Sequence, residues 1–201
     1  MLGLPQSTEV RKSLPKAQLY KQFDWKPSQR ESFDGSTSRL DFINWIAPRT
    51  LPAIAEGAEV KEIFVIEVSL KSRDINLKNI VLLAKSIPQR VIYILRYGDE
   101  IRLAVYHTKL FITDWQPINY EFSIFNSASL TLDAVWQNVV TGIGEFSVAD
   151  GNSITEQVRI DEERAKLEKQ IAALEKQMYT SKQPRRKRDL FEQISKLKTL
   201  L

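Results

Sequence analysis

The most sustained apolar alternation in the chain runs from Val60 to Lys71. Phe64, Ile66, Val68 and Leu70 fall on one face, and Ile63, Val65, Glu67, Ser69 and Lys71 on the other. The first half of this run is apolar on both faces, which predicts a central strand covered from both sides, with its C-terminal half opening to solvent or a cleft. Ile75, Leu77, Ile80, Val81, Leu83 and Ile87 then recur at helical spacing up to Pro88. Arg90–Tyr97 returns as a second apolar strand, and strand, helix, strand implies a parallel crossover. Gly98 and Asp99 turn the chain into an alternating arm, Ile101, Leu103, Val105 and His107. Further strands are expected around 110–112 and 120–125. Thr131 is placed to cap a helix bearing Leu132, Val135, Trp136, Val139, Val140 and Ile143 on one stripe.

Before this core, Pro5, Pro15 and Pro27 divide the chain into short pieces, with a helix opened by Pro15 and running to Phe23. Tyr20, Phe23, Trp25 and Phe33 read as anchors onto the body. Ser38, followed three residues later by Asp41, resembles an N-cap, and Leu40, Ile43, Trp45 and Ile46 have the spacing of a short amphipathic helix ending at Pro48.

After Gly151-Asn152 the pattern changes. Ser153 and Glu156 have capping-box spacing and open a long helix in which Ile160, Leu167 and Leu174 occupy d positions of a heptad, and Arg164, Ile171 and Met178 occupy a positions. Gln183-Pro184 interrupts it, and Leu190, Ile194, Leu197 and Leu201 give a shorter second seam. The fold class predicted is α+β: a mixed β-sheet with flanking helices over residues 1–150, followed over 153–201 by a basic helical hairpin or coiled coil.

Charge sharpens this division. The net charge is +4, and residues 156–201 hold 12 Lys or Arg against 8 Asp or Glu, leaving 17 of each sign in residues 1–155. The whole surplus lies in the tail, so attraction to nucleic acid or to an acidic protein surface is expected to act there. The Arg185, Arg186, Lys187, Arg188 cluster could neutralise phosphates, meet an acidic partner, or form a solvated helix start. At 43% hydrophobic and 27% charged residues the chain is expected to fold. With no cysteine it has no disulfide, thiolate nucleophile or cysteine-ligated metal. No apolar run has membrane-spanning length, and Met1 to Ser13 lacks the pattern of a signal peptide, so a cytoplasmic location without membrane partners is expected.

Candidate chemistry is sparse. Glu67, Ser69 and Lys71 share a face at the end of the buried strand, where a carboxylate and an ammonium could hold a metal and polarise water. A PD-(D/E)xK nuclease, however, places its lysine two residues after the acid, where this chain has Ser69. Asp41, Glu59 and Glu62 are the candidates for its second acid. The alternative is a strand leaving the core with a solvated face. His107 is the single histidine and reads as structural. Gly142 and Gly144 end a helix rather than precede one, so they form no phosphate loop. No cofactor and no metal site are predicted.

The ordered segments Leu14-Pro15-Lys16, Glu62-Ile63-Phe64-Val65-Ile66-Glu67-Val68-Ser69-Leu70-Lys71, Ile87-Pro88-Gln89-Arg90-Val91-Ile92-Tyr93-Ile94-Leu95 and Thr113-Asp114-Trp115, with the charged C-terminal helices, resemble the bacterial domain-of-unknown-function family DUF4391. The resemblance implies a neighbourhood of DNA methyltransferases and helicases, the setting of restriction-modification and antiphage defence, and supplies no catalytic residue. The expected function is a non-catalytic accessory subunit that binds a helicase or methyltransferase through Ile160, Arg164, Leu167, Ile171, Leu174, Met178, Leu190, Ile194 and Leu197. The alternatives are a divergent metal-dependent nuclease using Glu67 and Lys71, and a DNA-binding adaptor using Arg185, Arg186, Lys187 and Arg188.

Overall fold

The computed structural model describes residues 2–125 and 130–200, in two compact units, Met1–Ser147 and Val148–Leu201. The first unit contains β1 (Glu9–Ser13), α1 (Lys16–Gln22), α2 (Pro27–Ser36), β2 (Thr37–Ile46), β3 (Ile63–Leu70), α3 (Leu77–Ser86), β4 (Arg90–Tyr97), β5 (Glu100–Tyr106), β6 (Leu110–Ile112), β7 (Gln116–Pro117) and α4 (Leu132–Gly144). The described strands form one mixed sheet in the order β1-β2-β3-β4-β5-β6, with β7 also pairing with β5. All neighbours are antiparallel except β3 and β4, which run parallel with α3 as their crossover.

The two-sided apolarity of β3 is matched by helices on both faces of the sheet. Ile66, Val68 and Leu70 join Val91, Tyr93 and Leu95 of β4 in a core completed by Leu19, Trp25, Phe33, Ile80 and Leu83 from α1, the segment after it, α2 and α3. On the opposite face Ile63, Val65, Ile92, Ile94, Leu103 and Val105 are also buried. There α4 lies against β5 and β6, and Gly144 comes so close to Phe111 of β6 that an added Cβ would stand 2.7 Å from its ring. The aromatic anchors expected near the N-terminus do pack: Trp25 meets Phe33 edge-on at 5.1 Å between ring centroids, and its indole donates to Ser86 Oγ. The Asp34 carboxylate ties α1 to α2 by accepting from Tyr20 and pairing with Lys16. Burial works against its ionisation, but those two partners outweigh burial and hold it below the ordinary carboxylate value.

Two sequence expectations are corrected. The segment read as a helix over 38–48 is strand β2, paired antiparallel with β3. Its register shifts between Phe42 and Asn44, so Ile43 is an extra residue that changes the phase of the side chains: Leu40 and Phe42 precede it, and Asn44, Trp45 and Ile46 meet Val65, Phe64 and Ile63 after it. A strand with one inserted residue puts apolar side chains at 40, 43 and 46, which imitates helical spacing. The strand expected over 120–125 is irregular chain instead, and the partner of β5 beyond β6 is Gln116–Pro117.

The approach to β3 is fixed by an acid on α4. Asp133, beside the Thr131 N-cap, accepts from the backbone N–H groups of Ala58 (2.6 Å), Glu59 (3.2 Å) and Val60 (2.8 Å). Gly57 lies so near that a Cβ would stand 2.2 Å from Asp133 Oδ1 and 2.7 Å from its backbone nitrogen. Asp133→Ala should cost about 2 kcal/mol, because three N–H groups lose a charged acceptor. Gly57→Ala should force the loop off the helix and also lower the midpoint of urea unfolding, with the double variant losing less than the sum of the two. Midpoints equal to the parent chain's would show that this contact does not hold the loop.

Candidate functional site

The second unit contains α5 (Ile154–Thr180) and α6 (Pro184–Lys198), packed together and joined by three residues. Ser153 caps α5 by accepting from the Glu156 N–H, whereas the Glu156 carboxylate turns to Arg159 (2.7 Å) and does not complete a capping box. Ile171, Leu190 and Ile194 are buried, and Leu167, Leu174, Met178 and Leu197 are half-buried. Lys198 reaches across to Glu175 at 2.9 Å. Ile160 and Arg164 are exposed, and Arg164 pairs with Glu168 on its own helix (3.4 Å). Arg185, Arg186, Lys187 and Arg188 are all exposed near the start of α6, with Arg188 also paired to Glu192 (3.5 Å).

The first unit carries a cleft of about 360 Å³ where β1, β2 and β3 meet, lined by Glu9, Arg11, Arg39, Asp41, Ile43, Asn44 and Glu67. The C-terminal half of β3 therefore does open onto a cleft, and the distorted part of the sheet builds it. Ile43 is the inserted residue of β2, and β1 in turn shifts register between Glu9 and Lys12, with Arg11 in the left-handed region at φ 49°. Bulges bend a strand and re-aim its side chains.

Asp41 and Glu67 are direct cross-strand partners, and their side chains are only 17% and 18% exposed. Like charges in this position repel, and each is answered by an arginine. Arg39 Nε donates to Asp41 at 2.8 Å, and Arg96 of β4 stands 3.6 Å from Glu67, close enough for an ion pair but too long for a hydrogen bond. Arg11 pairs with Glu9 at 2.8 Å.

Lys71 does not stand with Glu67. Its Nζ donates to the Asp34 carbonyl at 2.6 Å. Of the three possible second acids, Glu62 accepts from Trp45 at the far end of β3, and Glu59 lies in the loop held by Asp133. Asp41 alone joins Glu67. Among the described residues no group of three or more His, Asp or Glu side chains is placed to hold a metal ion. Arg11 and Arg39 of the cleft, and Arg96 beside it, escaped sequence reasoning because they lie on three strands whose register, with three irregularities, brings them together. The only local signal was the Arg39-x-Asp41 spacing, which a helical reading of that segment concealed. Gly142 and Gly144 pack closely against Phe122, Phe111 and Phe146 at the end of α4. No helix among the described residues is long and apolar enough to cross a membrane.

His107 follows β5, half-buried, and its Nδ1 accepts from the Trp136 indole at 3.3 Å. Burial lowers its pKa from the ordinary 6.5, Arg90 lowers it further, and Glu59 opposes the shift. The folded protein thus binds fewer protons at this site than the unfolded chain, so stability is full above pH 6.5 and falls as the pH drops below it. His107→Gln should flatten the decline in urea midpoint between about pH 6.5 and 5. An unchanged slope would assign that decline to other groups.

The family model described as Domain of unknown function (DUF4391) matches residues 2–201. No curated protein and no solved structure matches the chain. With the model spanning both the sheet unit and the helical pair, the chain belongs to the DUF4391 family.

Proposed function

We propose that this chain is a non-catalytic accessory subunit that binds a larger protein through its C-terminal helices. The partner is a DNA methyltransferase or helicase of a restriction-modification-like defence complex, the setting implied by the family. The observation that carries this reading is the surface of α5. From Arg159 to Gln170 every residue is exposed except the half-buried Asp161 and Leu167. The 27 residues of α5 span about 40 Å and the 15 of α6 only about 22 Å. Ile160, Tyr179, Phe191 and Leu200 are exposed on or just after these helices, and they are four of the eight large hydrophobic residues exposed among those described. Half of them thus fall in about a quarter of the chain, which favours a protein surface as their destination.

Charge supports the same reading. Three cations, Arg185, Arg186 and Lys187, occupy the first turn of α6, which has no acid and no side-chain cap, and Arg188 follows them. A helix N-terminus carries partial positive charge, so these residues repel it and one another, and an acidic partner surface relieves both. The nuclease alternative is weaker, because Ser69 stands where the lysine is required and Lys71 is committed to Asp34.

Ile160→Asp combined with Phe191→Asp should abolish co-purification with the partner from the native operon, while the far-UV circular dichroism stays that of the parent. Both side chains are exposed, so loss of helix would not explain the result. Reversing Arg185, Arg186, Lys187 and Arg188 to Glu should chiefly alter the salt dependence of the complex. The chain alone should leave DNA uncut in Mg²⁺ or Mn²⁺. Cleavage abolished by both Asp41→Ala and Glu67→Ala would sink the accessory reading.

A further inference from the structure

We propose that the bulged cleft of β1, β2 and β3 is a binding site for a phosphate ester, gripped by the guanidinium groups of Arg11 and Arg39, with Arg96 of β4 paired to the Glu67 that lines it. Each of these arginines is already held along part of its guanidinium. Arg39 engages Asp41 through Nε, and Arg11 engages Glu9 through Nη2. Arg96 uses Nε on the Gly98 carbonyl and Nη1 toward Glu67. In each case one edge of the guanidinium is fixed and further N–H groups remain for a ligand. The carboxylates lie deep, Asp41 and Glu67 at 17% and 18% exposure, while the arginine side chains are 65%, 78% and 42% exposed for Arg39, Arg11 and Arg96. An entering ligand therefore meets the donors first.

Three features separate this arrangement from ordinary surface ion pairs. The cations that line the cleft come from two different strands, and each is an arginine, whose planar fork matches the oxygens of a phosphate. Arg11 is presented from a left-handed backbone position that non-glycine residues rarely adopt. Asp41 and Glu67 are kept opposite one another despite their repulsion, and in that position they orient Arg39 and Arg96. The cleft, at about 360 Å³, suits a group of nucleotide size. A phosphate with several charged oxygens satisfies more than one guanidinium at a time. A monocarboxylate offers no more than each arginine already has.

The source of the phosphate is either a free nucleotide or one residue of a nucleic-acid strand, and the experiment distinguishes them. Binding to the full chain is measured by titration calorimetry with adenosine 5′-monophosphate, with adenosine, and with a 12-nucleotide single strand, at one fixed salt concentration. The phosphate-bearing probes should bind and adenosine should not. Arg39→Gln and Arg11→Gln should each weaken binding about tenfold. Arg39→Lys should weaken it nearly as much, because the charge is kept and the fork is lost. Mononucleotide binding assigns the site to a free nucleotide, and binding of the strand alone assigns it to nucleic acid. Arg11 is exposed and pairs with the more open Glu9, so Arg11→Gln should keep the parent's urea midpoint, whereas Arg39→Gln also leaves Asp41 unanswered opposite Glu67 and should lower the midpoint without unfolding the chain. The proposal is overturned if neither phosphate probe binds. It is overturned equally if binding survives both glutamine substitutions and is lost on reversing Arg185, Arg186, Lys187 and Arg188 to Glu, which would place the phosphates on the tail.

Discussion

Ile63, Val65 and Ile66 are almost wholly removed from solvent, and a strand with so little polar surface is stable only where both faces of its sheet are covered. Much of the first unit follows from that requirement. A parallel return to β4 needs a crossover, and α3 supplies it on the face already occupied by α1 and α2. The other face then needs a helix from later in the chain, and α4 carries the unbroken stripe Leu132, Val135, Trp136, Val139, Val140 and Ile143, all buried. Asp133 joins the two ends of this arrangement, because a residue in the first turn of α4 also fixes the loop that delivers the chain to β3.

The periodic parts of this architecture were legible in the sequence. β4, the hairpin into β5, α3, α4 and the break at Pro184 all emerge near their expected places, because each depends on local spacing, turn residues or a cap. β2 did not, and the reason is specific. Ile43 is inserted between Phe42 and Asn44, a second shift lies between Thr37 and Arg39, and such bulges turn a period of two into something close to the helical period. The irregularity also grows across the sheet. β3 is regular, β2 carries one extra residue at this level, and β1 sets Val10 and Arg11 opposite Ile43. The cleft lies along this row, so the feature that hid the strand also hid the site. No spacing rule brings residues 9, 11, 39, 41, 67 and 96 together without the register.

The helical pair shows a different limit of sequence reading. A heptad identifies positions able to form a seam, but burial depends on the length of the partner helix. Ile171 is covered where α6 provides Leu190 and Ile194, whereas Ile160 and Arg164, on the same nominal stripe, face solvent. The exposed stretch is held as a helix by its own ion pairs, Arg159 with Glu156 and Glu163 at 2.7 Å each and Arg164 with Glu168. Such pairs contribute only a few tenths of a kcal/mol apiece, so they maintain helicity without providing the burial that a partner would add.

The even count of 17 positive and 17 negative residues before position 156 describes a neutral total rather than a neutral surface. In the cleft the opposite charges are separated by depth, with carboxylates below and guanidinium groups above. A ligand entering the cleft meets the exposed guanidinium groups of Arg11 and Arg39 before the deeper Asp41 and Glu67. In α6 the cations stand almost without acids, fully exposed at the end of a helix whose dipole opposes them. Salt affects the two differently. Charges in bulk water more than about 8 Å from a partner are largely screened at physiological ionic strength, while partly buried pairs are screened less. Affinity that runs through the α6 cluster must therefore fall steeply as salt rises, and affinity that runs through the cleft must fall less, because a phosphate there sits in contact with Arg39 inside a cleft whose Asp41 and Glu67 are less than a fifth exposed.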